Sequence, residues 1–291
     1  MRVNLLPDAG AFLERTRHFR AREPYLTNVI GTTATSVASG LSTFEKTSWW
    51  VVEDSNVVVG MLMRTAPHNL VLSPMPANAI GPAVQAVLLD DPGIPGASGP
   101  KELCESFLSL FALRSGRAPR RAVERNLFVY VLGTLVAPSP VAGSLRQCTG
   151  KDFEQLLPWW QGFANDAGVQ RHGLEEGLAL SLAQGRVYVW MRDDEAVCAV
   201  AHSPIVATPG GSVARVAPVY TPPEERRRGY GARLTFEVSS LLVDQGHGLM
   251  LFTDAANPTS NGVYRRLGYE KVDELVECSL EPTQGERLRD A

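Results

Sequence analysis

Nowhere do the 291 residues contain an apolar run long enough to cross a bilayer, and no apolar stretch follows a basic start. The first twenty residues already hold Asp8, Glu14, Arg15, Arg17, His18 and Arg20, so no membrane partner is expected and cytoplasmic residence is. Cysteine is scarce. Cys104, Cys148, Cys198 and Cys278 lie far apart and match no zinc spacing, which makes reduced core thiols the expectation and gives a disulfide framework or a metal site little support. An excess of basic charge is missing too: the formal net charge is -3 and the isoelectric point is near 6.0. A general nucleic-acid or membrane-surface binder would carry a spread basic face instead. The remaining composition, 44% hydrophobic and 20% charged, suits sizeable cores in one large or two medium domains.

The arginines that are present concentrate in one place. From Val219 the chain reads Val-Tyr-Thr-Pro-Pro-Glu-Glu-Arg-Arg-Arg-Gly-Tyr-Gly, an apolar strand closed by two prolines, an Arg-Gly turn and then a helix. That layout is a pyrophosphate cradle, because glycines let backbone approach a ligand and the first helical N–H groups point outward from a positive dipole end. Positive side chains at a helix start are locally unfavourable, so Arg226, Arg227 and Arg228 point to an anionic ligand. A Walker loop would need Lys-Ser/Thr after the last glycine, and a dinucleotide fold would need Gly-x-Gly-x-x-Gly; neither is here. Downstream, Leu234, Val238, Leu241 and Leu242 share one helical face ending at Gly246, Leu249 to Thr253 reads as a buried strand, and Asn257-Pro258 caps a further helix that ends at Leu267-Gly268-Tyr269.

These two segments resemble the signatures of the GCN5-related N-acetyltransferases. Arg226, Gly229 and Gly231 stand at the places of the family's Arg/Gln-x-x-Gly-x-Gly/Ala acyl-CoA loop. Asn257 to Tyr269 looks like its Asn-x-x-Ala-x-x-x-Tyr-x-x-x-Gly-Phe/Tyr. The resemblance implies an α/β fold with a mixed, mostly antiparallel sheet flanked by helices, and acetyl-CoA as acyl donor without a metal. It also implies that backbone groups of Val219, Tyr220 and Thr221 bond the pantetheine amides. Arg227, Arg228, Gly229, Tyr230, Gly231 and Ala232 would surround the pyrophosphate, Asn257 would contact the cofactor as well as capping its helix, and Tyr264 would protonate the departing thiolate. The apolar face of a short helix explains Tyr264 equally well on its spacing.

The rest of the second half supplies the same order of elements. A strand at Leu145 to Cys148, an Asp152-capped helix, a helix around Leu174 to Leu182, and a hairpin with arms Val187 to Met191 and Ala196 to His202 lead to the cradle strand. A final strand is expected near Leu275 to Leu280. The Pro-rich Val136 to Gly143 stretch is the linker candidate. The first half repeats the pattern: two helices, a hairpin turning at Asp54-Ser55-Asn56, a strand at Leu70 to Leu72, a helix from Ala77, a Gly96 to Gly99 turn and a Pro100-started helix. We therefore expect two tandem acetyltransferase-like domains, 1–138 and 139–291, the first lacking the Arg-x-x-Gly-x-Gly loop. An unrelated α+β domain is the alternative for the first half.

The general base has no clear sequence signal, since Ser212 to Thr221 holds no acid; Asp254 and His202 are the candidates, with a water chain as a third route. Two functions stay open. One is an N-acetyltransferase acting on a primary amine of a small molecule or peptide by direct attack in a ternary complex, no cysteine being expected near the motifs. The other is a non-catalytic acyl-CoA-binding sensor.

Overall fold

Both hairpins form where two small polar residues separate apolar runs. Ser55 and Asn56 have φ of 49° and 68°, and Asp193 and Asp194 have φ of 47° and 66°. A two-residue reversal with both central residues at positive φ matches the right-handed twist of antiparallel strands. The computed structural model describes residues 1–117, 119–168 and 173–280. Its contacts divide the chain into two units. The first comprises Met1–Phe128, Thr208–Gly210 and the chain from Asp273, and the second comprises Val129–Ala207 and Gly211–Val272.

In the first unit the order is β1 (Arg2–Leu6), α1 (Ala9–Arg22), α2 (Asn28–Ala38), the hairpin β2 (Thr47–Asp54) and β3 (Val57–Thr65), β4 (Leu70–Leu72), α3 (Ile80–Asp90), β5 (Gly96–Pro100) and α4 (Lys101–Ser115). Strand β6 (Pro119–Leu132) follows. In the second unit come β7 (Ser144–Gln147), α5 (Phe153–Ala167), α6 (Leu174–Ala183), the hairpin β8 (Val187–Arg192) and β9 (Glu195–His202), and a short β10 (Val206–Thr208). Then come β11 (Gly211–Tyr220), α7 (Tyr230–Asp244), β12 (Gly248–Asp254), α8 (Pro258–Arg266) and β13 (Tyr269–Leu280). The repeat extends to pairing. Strands β1 and β7 run antiparallel to β2 and β8, the first arms of their hairpins. Strands β4 and β5 pair in parallel, as do β11 and β12. The fold is thus a mixed, mostly antiparallel α/β arrangement occurring twice.

The contact division falls after Phe128, where the sequence reading drew one boundary at 138/139. It also assigns Asp273 onward to the first unit, because Leu275 to Ser279 of β13 pair with Pro100 to Gly96 of β5. This pairing corrects an expectation about β5. Gly96 to Gly99 is not a turn but strand β5, and its glycines answer to neighbours: a Cβ on Gly96 would overlap the Cys278 carbonyl, and one on Gly99 would lie 2.8 Å from the Leu72 oxygen. Close backbone approach requires glycine in a strand as surely as a turn does. Asp152 stands at the N-cap of α5, as expected, but its side chain bonds no N–H of that helix and serves the 3-10 turn Gly150–Asp152 just before it. Thr149 is the N-cap of that turn, and Asp152 closes a capping box by accepting the Thr149 N–H at 2.8 Å. Two strands, β1 and β10, were not anticipated.

Each unit has its own core. In the first, Trp50, Leu62, Leu72, Val84, Val87, Phe107 and Phe111 meet Val276 and Leu280. In the second, α5 and α6 cover one face of the sheet through Leu156, Trp160, Leu178 and Leu182 against Val187, Val189, Ala199 and Ala201. The anticipated stripe of α7, Leu234, Val238 and Leu242, is buried, whereas Leu241 is 39% exposed. No helix among the described residues is long and apolar enough to cross a membrane.

Candidate functional site

Strands β11 and β12 begin side by side and then part. Their parallel pairing covers only Val213 to Arg215 with Gly248 to Met250, although β11 runs on to Tyr220 and β12 to Asp254. On its other edge β11 stays paired with β9, through Val216 with His202 and, after a register shift, Val219 with Val200 and Tyr220 with Ala199. The edge of Val216 to Tyr220 that faces β12 therefore carries backbone groups outside the β11–β12 ladder. In the first unit the counterpart strands show no such opening, since β4 ends one residue after its last rung with β5.

Past the end of β11 the chain turns through Pro223–Glu225 and reaches Arg227 at φ 65° and Gly229 at φ 85°. Gly229 is the N-cap of α7 and offers no side-chain cap, so the first N–H groups of α7 are not bonded by a capping side chain. A Cβ on Gly229 would lie 3.0 Å from Val141 Cγ1, and one on Gly231 would lie 3.3 Å from Thr221 Oγ1. Small residues thus hold the turn open against β11 and the linker. In the first unit the segment between β4 and α3 carries Pro74 and Pro76 in place of glycine, and Met75 between them lies against Gly60 of β3.

The expected cradle side chains divide. Arg228 Nη1 donates to Glu225 at 2.9 Å. Arg226 turns back onto the strand, its Nε donating to the Thr221 carbonyl at 2.9 Å, its Nη2 meeting Asp166 at 2.6 Å and its guanidinium lying 5.7 Å from the centre of the Tyr220 ring. Arg227 has no ion pair among the described residues and is exposed. Tyr230 is buried, and its hydroxyl accepts from Arg192 Nη1 at 3.2 Å. Ala232 is half-buried in the first turn of α7. Asn257 caps α8, its Oδ1 accepting the Ser260 N–H at 3.0 Å.

Tyr264, on α8, is half-buried and stands edge-on to Tyr269 with ring centres 6.1 Å apart. Loss of solvent around its phenol, with Tyr269 and Cys198 adding to it, pushes the phenol above its ordinary range. The group stays protonated at neutral pH. The Tyr269 hydroxyl is committed to Ser239 at 2.8 Å, while that of Tyr264 has no described partner.

Cys198 overturns one expectation about the motifs. Its sulfur accepts from Thr221 Oγ1 at 3.2 Å and lies near Tyr264, although it is far away in sequence. It is fully buried, and burial pushes the thiol up to about 12, so the reactive thiolate is suppressed. Of the two candidate bases, Asp254 accepts the Ala256 N–H at 2.7 Å and so shapes its own turn. His202 is buried and its Nδ1 donates to the Ser203 carbonyl at 2.8 Å, which leaves the lone pair on Nε2. Burial holds this imidazole below its ordinary value, with Arg186 and His247 adding to the effect.

Sequence reasoning missed four of these contacts, Arg192 on Tyr230, Asp166 on Arg226, Cys198 beneath Thr221 and Val141 beside Gly229. Pairs 60 residues apart, such as Asp166 and Arg226, leave no local signal.

Residues 203–277 match a family model described as FR47-like protein. Among solved structures, a GNAT-family acetyltransferase from Colwellia psychrerythraea is 9% identical and has a TM-score of 0.59, with 97% of this chain and all of that one covered. A GCN5-related N-acetyltransferase from Sphaerobacter thermophilus is 14% identical with a TM-score of 0.60, covering 97% and 96%. The fold is that of the GCN5-related N-acetyltransferases. It is present in tandem: a tandem GNAT protein from the clavulanic acid biosynthesis pathway is 14% identical, with a TM-score of 0.56 and coverage of 97% and 98%. In this acetyltransferase fold the opening between β11 and β12, the turn at Gly229 and Tyr264 all belong to the second repeat.

Proposed function

We propose that the chain is an N-acetyltransferase that moves an acetyl group from acetyl-CoA to a primary amine of a small molecule or peptide by direct attack. The observation that carries this reading is the early end of the β11–β12 pairing, with a glycine-lined helix start at one end of the opening. Backbone of Val219 and Tyr220 on the edge away from β9, and of Thr221, whose carbonyl holds Arg226, would bond the amides of the donor's pantetheine arm. The N–H groups around Gly229, Tyr230, Gly231 and Ala232 would take the pyrophosphate, with Arg227 and Arg228 supplying charge and Arg226 in reach of the same turn. Asn257, already the cap of α8, would be a further contact at the edge of the opening.

Acetyl-CoA, when bound, supplies the thioester carbonyl that the amine attacks. Tyr264 then serves the leaving sulfur. A phenol above its ordinary pKa remains protonated, and full transfer to a thiolate, whose own pKa is near 8.5, is uphill. Its contribution is a hydrogen bond to charge as it develops on sulfur. The ammonium proton leaves by water, with the neutral His202 imidazole as the acceptor that retains a lone pair. Cys198 takes no covalent part, because its thiol is buried and protonated. Its replacement by alanine is expected to leave turnover within about threefold, whereas an acyl-enzyme route would lose at least about a hundredfold.

The absence of an acid on β11, with Asp254 committed to its turn, favours the second reading, a non-catalytic acyl-CoA-binding module. Incubation with acetyl-CoA and a panel of primary amines, read as free thiol, separates the two. Amine-dependent thiol release supports the transferase. Binding of acetyl-CoA without release against any amine supports the module.

A further inference from the structure

Asp166 occupies the last turn of α5, where the helix carries its negative end and no basic residue. A carboxylate there is locally unfavourable. Its partner lies 60 positions away: Arg226 Nη2 meets Asp166 Oδ2 at 2.6 Å. The same guanidinium is fixed from two more sides, by the Thr221 carbonyl and by the face of Tyr220. Tyr220 in turn lies against α5 at Gly162, where a Cβ would come within 2.7 Å of the phenol Cζ, and its ring is 6.5 Å from that of Trp159. The end of α5 is thereby tied to the splayed end of β11 through one arginine.

We propose that Asp166 is a positioning residue that holds Arg226 away from the donor's phosphate. The pyrophosphate then has to take this guanidinium from a carboxylate, and donor binding loosens the end of α5 from the strand. The inference rests on the reading that the start of α7 receives the donor's pyrophosphate. The pair is partly solvated, with side chains 43% and 55% exposed, so its hold is modest, up to about fivefold in affinity.

A double-mutant cycle on the full chain, titrated calorimetrically with acetyl-CoA, tests it. Asp166→Asn is expected to bind two- to about fivefold more tightly than wild type, Arg226→Gln more weakly, and the double variant like Arg226→Gln alone. Thermal melting of each variant checks that the fold is kept. Weaker binding by Asp166→Asn would mean that the carboxylate pre-sets Arg226 for the phosphate, and overturns the proposal. The same gain from Asp166→Asn with and without Arg226 would mean a general field effect, and also overturns it. Wild type that fails to bind acetyl-CoA removes the donor reading itself, an outcome distinct from either of these.

Discussion

Replacing Gly268 with alanine is expected to destabilise the second unit by at least about 3 kcal/mol, lowering the melting temperature by roughly 10 °C. Gly268 follows the C-cap of α8 at φ 93°. Two backbone bonds cross there, Gly133 N to Gly268 O and Val136 N to Leu267 O, both 3.0 Å. A Cβ would overlap the Thr134 carbonyl and lie 3.6 Å from Leu135 Cα. Backbone on both sides leaves nothing to rotate away. Gly246 provides the control, since it has a similar φ of 83° but nothing within 4 Å of a Cβ. Its alanine variant carries only the conformational cost, about 1 kcal/mol. Equal melting temperatures for the two variants would show that the close approach at Thr134 is not what demands glycine.

The second large effect concerns turnover. Tyr264→Phe is expected to lower kcat by about a hundredfold, the usual cost of losing one hydrogen bond to developing charge, while the acetyl-CoA Kd stays within about twofold. Phenylalanine keeps the edge-on packing against Tyr269 and removes only a hydroxyl that has no described partner. Parallel kcat and binding measurements, with the amine that gives the fastest thiol release, separate the two quantities. Equal losses in turnover and affinity would assign Tyr264 to the wall of the site instead of its chemistry.

Much of the second repeat was legible because its signals are local. Pro222 and Pro223 end β11, Gly229 starts α7, Asn257 caps α8, and the Asp193-Asp194 reversal joins β8 to β9; each follows from the preferences of residues a few positions apart. The tandem arrangement was legible from order alone. What escaped was set at a distance. Gly96 and Gly99 looked like a turn because the strands pressing on them, β13 and β4, lie elsewhere in the chain. The capture of Asp273 to Leu280 by the first unit has no local mark either, since a β-strand does not encode its partner. At the site, the glycine turn could be read from spacing, whereas a role for Tyr264 came only from the resemblance. The opening of β11 from β12, the Asp166 pair and the burial of Cys198 under Thr221 depend on tertiary placement.

Calorimetric titration of the purified chain with acetyl-CoA, beside Arg228→Glu, tests the donor site most directly. The expected result is saturable binding of one donor per chain, because the corresponding segment of the first repeat has Pro74 and Pro76 and no glycine turn. Binding should be lost in the variant, whose reversed charge faces both Glu225 and the phosphates. No heat at millimolar acetyl-CoA, or undiminished binding by Arg228→Glu, would contradict a pyrophosphate site at the start of α7.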